Sequence, residues 1–292
     1  MKTKTVLLFL IVLFSGICRI HAQADFYLMQ ALGSRYIYNS DYFEETREMQ
    51  VYLSGVDGSL KSDSLLAIYV LDAQYPPTFN LFCSTFELTH PNIPCIIVGI
   101  FNSNRQSELT PPFTDSLSVK RYDNPGHGKE MLSSLTNEII PFIQEKYHAG
   151  NNRILVGHSL GGTFVTYAMM EHPDLFPYII AISPNYKYSE NMMIDRLRVF
   201  TETYQGEKKL YIYLANGDKD KTEEDFKPMI KEACSIIEKN NRIDLRYDSL
   251  NIKKHSHTIF EGYYRSLLSI TPLLQSTLVS LREHLCKNSP LF

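Results

Sequence analysis

Short apolar runs alternate with longer amphipathic stretches over most of this chain. Continuous apolar runs predict strands that are buried on both faces, as in parallel sheets covered by helices. Such strands are predicted at residues 65–71, 95–100, 153–156, 178–182, 209–215 and 243–247. The amphipathic stretches predict helices near residues 80–90, 129–147, 160–172, 192–204 and 224–239, and a last helix near 262–286 that breaks at Pro272.

Two β-like segments, at residues 34–39 and 47–54, precede this alternation, and a turn is predicted at Asp57-Gly58. Strands that alternate with helices predict an α/β fold, in which a mostly parallel central sheet carries helices on both faces. The sequence after residue 22 contains no internal repeat, low-complexity linker or charge block. Residues 23–292 are therefore predicted to form one domain.

The first 22 residues are predicted to be a secretory signal peptide. Lys2 and Lys4 precede an apolar run at residues 6–14, and Ala22 supplies a small residue at a cleavage point. The run is shorter than the roughly 20 residues that a membrane-spanning helix needs, although an uncleaved anchor is the alternative. We therefore expect a secreted or periplasmic protein without a stable membrane span.

Charge and cysteine content narrow the classes of partner and cofactor. The chain has 29 basic and 32 acidic residues, so it lacks the basic excess that a nucleic-acid partner would require. Beyond the signal peptide, the cysteines are Cys83, Cys95, Cys234 and Cys286, which could form disulfides or remain buried thiols. Their spacing matches no zinc site, and no nucleotide-binding glycine loop is present, so neither metal nor organic cofactor is expected.

A G-x-S-x-G motif at residues 157–161 lies between an apolar strand and a predicted helix. This context is typical of a nucleophile elbow, in which Ser159 occupies a sharp turn above the sheet. Gly157 and Gly161 are predicted to keep side chains out of that turn. The backbone N–H of Leu160 would then face the developing oxyanion, close to the positive end of the helix dipole. A glycine turn with a bystander serine is the alternative.

A serine nucleophile needs a general base, which follows late in the chain in this architecture. The late histidines are His255, His257 and His284. His284 lies within the last predicted helix, whereas His255 and His257 lie in the loop that precedes it. Position alone leaves His255 and His257 both open.

A carboxylate is expected to orient that base and to stabilise its charged form. The segment after the predicted strand at residues 209–215 carries several acidic residues. Asp220 is the first choice and Asp218 the second, with Glu223 or Glu224 possible if the loop runs longer. A solvated charged turn without a catalytic role is the alternative.

Six segments share a resemblance to one family. They are YVLDAQ at residues 69–74, VGI followed by R and ELTP within 98–111, EIIP at 138–141, the elbow at 157–162, Ser183-Pro184, and His257-Thr258 ahead of Leu267-Leu268. Over about residues 47–285 the chain resembles the esterase family of α/β-hydrolases. That family includes S-formylglutathione hydrolases, siderophore esterases, feruloyl and acetylxylan esterases, and mycolyltransferases.

The resemblance implies an α/β-hydrolase fold and assigns roles to individual residues. It implies Ser159 as the nucleophile and His257 as the base, because the distance from His257 to the final helix matches the family. It also implies the backbone N–H groups of Leu160 and Gln74 as the oxyanion hole. Ala73 stands where the family has glycine, and the acid varies across the family.

The sequence thus predicts a serine carboxylic ester hydrolase with the triad Ser159, His257 and Asp220, which requires no cofactor. Its substrate is expected to be a small-molecule or glycan-linked ester, such as a siderophore ester or an acyl group on a polysaccharide. Export argues against the cytosolic thioester S-formylglutathione. An acyltransferase that uses the same triad and a non-catalytic binding module on the same fold are the alternatives.

Overall fold

A computed structural model describes residues 32–55, 65–91, 93–113 and 115–275. The predicted signal peptide, the turn at Asp57-Gly58, His284 and Cys286 lie outside these residues, as does the proposed domain start at residue 23. From Arg35 onward the described residues belong to one compact unit. No described helix is both long enough and apolar enough to cross a membrane.

The strands of the described residues form one eight-stranded sheet. They are β1 (Ser34–Ser40), β2 (Glu45–Ser54), β3 (Leu65–Val70), β4 (Cys95–Ile100), β5 (Ala149–His158), β6 (Tyr178–Ile182), β7 (Leu210–Gly217) and β8 (Ile243–Leu250). Their spatial order is β1-β2-β4-β3-β5-β6-β7-β8. β2 lies antiparallel to β4, and every neighbouring pair from β4 to β8 is parallel. The predicted α/β fold with a mostly parallel sheet is confirmed.

The helices connect these strands. They are α1 (Pro76–Thr89), α2 (Arg105–Glu108), α3 (Ser116–Arg121), α4 (Gly128–Ser134), α5 (Ile140–Tyr147), α6 (Leu160–Glu171), α7 (Met192–Thr203), α8 (Lys221–Ile237) and α9 (Thr258–Ser269). A π-helical turn at Leu135–Ile139 joins α4 to α5, and a 3₁₀ turn at His255–His257 precedes α9. The predicted helix over residues 129–147 therefore has a π-helical interruption. The last helix is interrupted at Ile270 and helical structure resumes over residues 271–275, so the predicted break lies close to Pro272. The part of that predicted helix after residue 275 lies outside the described residues.

The short helices α2 and α3 were not predicted from the sequence. Each is too short to show a hydrophobic period, and each begins at a capping side chain instead. The side chain of Asn104 accepts hydrogen bonds from the N–H groups of the first turn of α2, and Asp115 does the same for α3. Both helices lie on the segment that borders the functional site.

The central strands of the sheet are buried on both faces, as their continuous apolar runs predicted, whereas β1 and β8 at its two edges alternate exposed and less exposed positions. The prediction of a fully buried strand at residues 243–247 is therefore wrong, because β8 lies at the sheet edge. Every residue of β3 and β4 is buried, and so is nearly all of α6, which packs on β5 and β6. On α1 and α9, the rings of Phe82 and Tyr263 meet edge to face with their centroids 5.0 Å apart. Burying an aromatic or large aliphatic side chain contributes about 1.5–3 kcal/mol, so this core holds the carboxyl ends of the strands in fixed positions.

The three cysteines within the described residues, Cys83, Cys95 and Cys234, are buried thiols without a disulfide. Burial raises the pKa of the Cys234 thiol to about 11 and that of the Cys95 thiol well above its usual range. These thiols are therefore protonated at neutral pH and pack as small apolar side chains.

Candidate active site

The carboxyl ends of the parallel strands bring polar residues from distant parts of the chain to one edge of the sheet. Asp72 follows β3, Ser159 follows β5 and Ser183 follows β6. Glu223 lies in the first turn of α8, after β7, and His255 follows β8. In open α/β sheets this edge is where ligands bind.

Ser159 occupies a strained turn between β5 and α6. Its φ of 58° and ψ of −119° are rarely adopted by residues other than glycine, and such strain persists only where the surroundings enforce it. Here the Ser159 N–H donates to the carbonyl of Ile182 at 2.9 Å. The Ser159 carbonyl accepts from the N–H groups of Thr163 at 3.1 Å and Asn185 at 3.3 Å. The turn has the geometry expected of a nucleophile elbow.

The two glycines of the motif have different structural roles. A Cβ at Gly157 would lie 2.2 Å from the carbonyl oxygen of Gly161, so residue 157 cannot carry a side chain without movement of the elbow. A Cβ at Gly161 would meet the side chains of Asp72 and Leu71 at 3.4 to 3.8 Å, which is ordinary van der Waals contact. The prediction that Gly161 must also lack a side chain is therefore wrong. The Gly161 backbone is what excludes a side chain from residue 157.

His255 forms a hydrogen-bonded pair with the buried carboxylate of Glu223. The Nδ1 atom of His255 bonds Oε1 of Glu223, whose side chain is fully buried. The other carboxylate oxygen, Oε2, accepts from the N–H of Gly217 at 2.6 Å and from Oγ of Ser183 at 3.0 Å. Since the carboxylate holds the Nδ1 proton of the neutral ring, Nε2 is left unprotonated and can accept a proton.

The structure does not bring His257 and Asp220 together. His257 is exposed, and its ring lies against Phe260 with a centroid separation of 5.6 Å. Asp220 caps α8, where its Oδ1 accepts the N–H of Thr222 at 2.7 Å. This bond is the main cause that lowers the pKa of the Asp220 carboxyl, and the backbone N–H of His255 adds to it. Asp220 thus contacts the backbone of the candidate base, while Glu223 holds its ring.

His158 links the elbow to the loop that carries His255. Its Nε2 lies 3.0 Å from Oγ1 of Thr258 and 3.2 Å from the carbonyl oxygen of His255, and the two imidazole rings are 4.6 Å apart. The Thr258 hydroxyl donates to the His255 carbonyl at 2.7 Å, so the Nε2–H of His158 is the donor to Thr258. Burial lowers the pKa of His158 to about 3, and the neighbouring His255 and Arg105 side chains add to this effect. His158 is therefore a neutral structural donor.

The loop after β3, which contains Gln74, is held from several sides. Asp72 has a positive φ of 62° and accepts two hydrogen bonds from Arg105, at 2.9 and 3.1 Å. The Gln74 side chain donates to Asp72 at 3.2 Å and accepts the N–H of Asn102 at 3.0 Å. Asn102 in turn accepts the N–H of Asp72 at 3.2 Å. These bonds fix the backbone of the loop beside the elbow.

A buried ion pair supports the same loop from below. Glu108 accepts hydrogen bonds from both terminal nitrogens of Arg47, at 2.8 and 2.6 Å, and from Nδ2 of Asn102 at 2.9 Å. The side chains of Arg47 and Glu108 are only 2% and 3% exposed. No role for Arg47 was predicted, and Glu108 was identified only as part of the ELTP segment. Their spatial pairing has no signature in the local sequence.

Ser159 lines two cavities. The larger has a volume of about 810 Å³ and walls from α2, α3, α8 and the start of α6. They include Arg105, Arg121, Tyr122, Leu160, Lys221 and Phe226. The smaller, of about 260 Å³, is lined by Leu71, Tyr75, Thr78, His255, Ile259 and Tyr263. Arg105 and Ser159 lie on the wall of both. In the described residues, no group of three or more His, Cys, Asp or Glu residues is arranged to hold a metal ion.

The chain is similar to known proteins of an esterase family. The model of a family described as "Putative esterase" matches residues 40–268. The protein YbbA of Bacillus subtilis is 32% identical over 149 residues, which are 48% of this chain and 59% of YbbA. Ferri-bacillibactin esterase BesA of the same organism is 30% identical over 140 residues, which are 43% of this chain and 48% of BesA. The chain therefore spans about half the length of these curated relatives.

Solved structures show the same fold at lower identity. An IroE-like serine hydrolase from Shewanella oneidensis superposes with a TM-score of 0.67 at 20% identity, covering 80% of this chain and 78% of that one. The siderophore hydrolase EstA from Aspergillus nidulans has a TM-score of 0.64 at 17% identity, covering 83% and 95%. These similarities concern the fold alone.

Proposed function

Because the chain belongs to the "Putative esterase" family, we propose that it hydrolyses carboxylic esters through an acyl-enzyme formed on Ser159. The observation that carries the proposal is the pairing of a strained serine elbow with His255 and the buried Glu223. Ser159 and His255 line the same small cavity, and Glu223 bonds the ring of His255. A nucleophile, a base and a group that orients the base are the parts that acyl transfer needs.

In the proposed reaction, Nε2 of His255 takes the proton of the Ser159 hydroxyl as its oxygen attacks the ester carbonyl. The backbone N–H groups of Leu160 and Gln74 stabilise the resulting oxyanion. His255 then donates the proton to the departing alcohol, and water resolves the acyl-enzyme by the same steps. We assign the base to His255 in place of His257.

We assign the orienting acid to Glu223 in place of Asp220. A buried carboxylate on Nδ1 fixes the tautomer of the imidazole and stabilises the imidazolium that forms in each step. Two further donors, the Gly217 N–H and the Ser183 hydroxyl, hold the carboxylate in place. Asp220 keeps a different role, since it caps α8 and so positions the helix turn that carries Glu223.

As substrate we propose a siderophore ester. BesA is named a ferri-bacillibactin esterase, and a protein of Emericella nidulans that is 25% identical over 111 residues is named a siderophore enterobactin esterase. The cationic side chains of Arg121 and Lys221 in the larger cavity suit an acidic, catechol-like ligand. The glycan-linked ester considered from the sequence has no comparable support.

We also propose that the protein is exported. The support is the order of Lys2 and Lys4, the apolar run at residues 6–14 and the small residue Ala22. Mass spectrometry of protein purified from its native host should show that residues 1–22 are missing. A membrane-bound protein that retains Met1 would favour the uncleaved anchor.

The proposed nucleophile can be tested with an organophosphonate probe and 4-nitrophenyl acetate. The wild type should be labelled once, at Ser159, and should hydrolyse the ester. Ser159→Ala should lose both labelling and turnover. Ser256→Ala is a matched control, because Ser256 lines the same small cavity but lies on the loop of the base. Labelling that survives Ser159→Ala would exclude Ser159 as the nucleophile.

A further inference from the structure

The two cavities that meet at Ser159 differ in size and in the chemistry of their walls. The larger cavity has a volume of about 810 Å³ and carries charged side chains from α2, α3 and α8. The smaller, of about 260 Å³, is built from Leu71, Tyr75, Ile259 and Tyr263 together with the polar residues of the site. An ester bound at Ser159 must therefore place its two halves in unlike surroundings.

The position of His255 decides which half enters which cavity. In the proposed reaction the same imidazole that deprotonates Ser159 must reach the oxygen of the departing alcohol. His255 lines the smaller cavity and is absent from the wall of the larger one. The alcohol oxygen therefore faces the smaller cavity, and the acyl carbon chain extends into the larger one.

The charges of the larger cavity indicate which acyl groups it favours. Arg105 is paired with Asp72, and Asp225 is paired with Lys187, so these charges are compensated. Arg121 and Lys221 also face the cavity, and within the described part of the chain neither forms an ion pair. Glu224 is the remaining acid on this wall. Two cations against one anion favour a negatively charged acyl group.

We propose that the site takes esters whose acyl half is large and anionic and whose alcohol half is small and weakly polar. The proposal rests on the proposed esterase function and adds a division of the substrate at Ser159. In this division Arg121 and Lys221 recognise the negative charge of the acyl group. The wall formed by Tyr75 and Ile259 limits the alcohol.

A matched pair of substrates tests the acyl half. The mono-4-nitrophenyl ester of glutaric acid and 4-nitrophenyl valerate share a leaving group and a five-carbon acyl chain, and only the former carries a carboxylate. The measured quantity is the ratio of kcat/KM for the charged ester to that for the neutral ester. A unit charge about 4 Å away in a solvent-exposed cleft changes such a ratio by roughly fivefold.

The wild type should prefer the charged ester, and Arg121→Gln with Lys221→Gln should lower the ratio by about tenfold or more. Glu224→Gln should raise the ratio, because it removes a negative charge from the same wall. Lys120→Gln is the control for lost charge, since Lys120 lies beside Arg121 on α3 but does not line the cavity. The Lys120 variant should leave the ratio unchanged.

A second series tests the alcohol half. Phenyl and 2-naphthyl esters of glutaric acid keep the acyl group constant and enlarge the alcohol. The wild type should favour the phenyl ester, and Ile259→Ala should reduce that preference. The same variant should leave unchanged the ratio of kcat/KM for the charged to the neutral 4-nitrophenyl ester. A 3-carboxyphenyl ester moves the negative charge to the alcohol. For this ester, Arg121→Gln and Lys221→Gln should change kcat/KM no more than Lys120→Gln does.

The outcomes separate this inference from the esterase proposal. The division of the substrate is wrong if 4-nitrophenyl valerate is hydrolysed in a Ser159-dependent manner but the ratio of kcat/KM for the charged to the neutral ester does not change in the variants. Those variants are Arg121→Gln with Lys221→Gln, and Glu224→Gln. The division is also wrong if these variants respond to charge on the alcohol instead. If no ester is hydrolysed in a Ser159-dependent manner, the esterase proposal itself fails.

Discussion

Replacing His158 by glutamine should weaken the pH dependence of stability between about pH 5 and pH 7. His158 is partly buried beside Ser159, and desolvation lowers its pKa from 6.5 to about 3 in the folded protein. Between these values the unfolded chain binds a proton on this side chain and the folded protein does not. Stability therefore rises with pH through this window and is constant, for this group, above the unfolded pKa.

The size of the effect follows from the shift. Each pH unit below the unfolded pKa lowers the free energy of unfolding by about 1.4 kcal/mol, so His158 accounts for a loss of about 2 kcal/mol at about pH 5. Glutamine has no such titration, and its amide can supply the donor that Nε2 of His158 directs to Thr258. His158→Gln should therefore remove about 2 kcal/mol of the pH-dependent loss.

Urea denaturation at several pH values between about 5 and 8 measures this difference. His172→Gln is the control, because His172 is exposed at the end of α6. That variant should lose stability on acidification to the same extent as the wild type. If His158→Gln and the wild type lose the same free energy between about pH 7 and pH 5, His158 is not held neutral in the folded protein.

Two matched pairs of variants test the elbow and the acid. Gly157→Ala should destabilise the protein by about 3 kcal/mol or more, because its Cβ would meet a backbone carbonyl, whereas Gly161→Ala should cost less than about 1 kcal/mol in thermal or urea unfolding. Equal losses would refute the distinction between the two glycines. Glu223→Gln should lower kcat by about a thousandfold or more, whereas Asp220→Asn should lower it less than about tenfold, since asparagine also caps helices. If Asp220→Asn lowered kcat more than Glu223→Gln, Asp220 and not Glu223 would be the orienting acid.

The fold could be predicted from the sequence because its strands are continuous apolar runs. Runs such as those of β3 and β4, with every residue buried, fit only a sheet that is covered on both faces. The elbow could be predicted for a related reason, since a serine between glycines at a strand–helix junction has few other uses. Both the fold and the elbow were therefore predicted from the local sequence pattern alone.

The partners of Ser159 depend on short-range geometry that the pattern does not encode. An extended loop would place residues 255 and 257 on opposite sides, but the chain forms a 3₁₀ turn there, which directs His255 to Glu223 and leaves His257 exposed. Asp220 was the natural choice because it lies in the loop after β7. The helix is capped by that residue, and Glu223 on its first turn bonds His255 instead.

The residues around the loop after β3 were missed for a different reason. Arg47, Asn102 and Glu108 come from β2, from the end of β4 and from α2, and they meet only in the folded protein. No single segment shows that a buried ion pair supports Gln74. Such a network would be visible in sequence only through correlated changes among relatives.

The central claim is that His255, oriented by Glu223, is the base that activates Ser159. The most direct test is kcat for hydrolysis of 4-nitrophenyl acetate by His255→Ala and His257→Ala, which differ by two positions on one turn. His255→Ala should lower kcat by about a thousandfold or more, and His257→Ala, which removes an exposed ring, should lower it less than about tenfold. An inactive His257→Ala beside an active His255→Ala would contradict the claim.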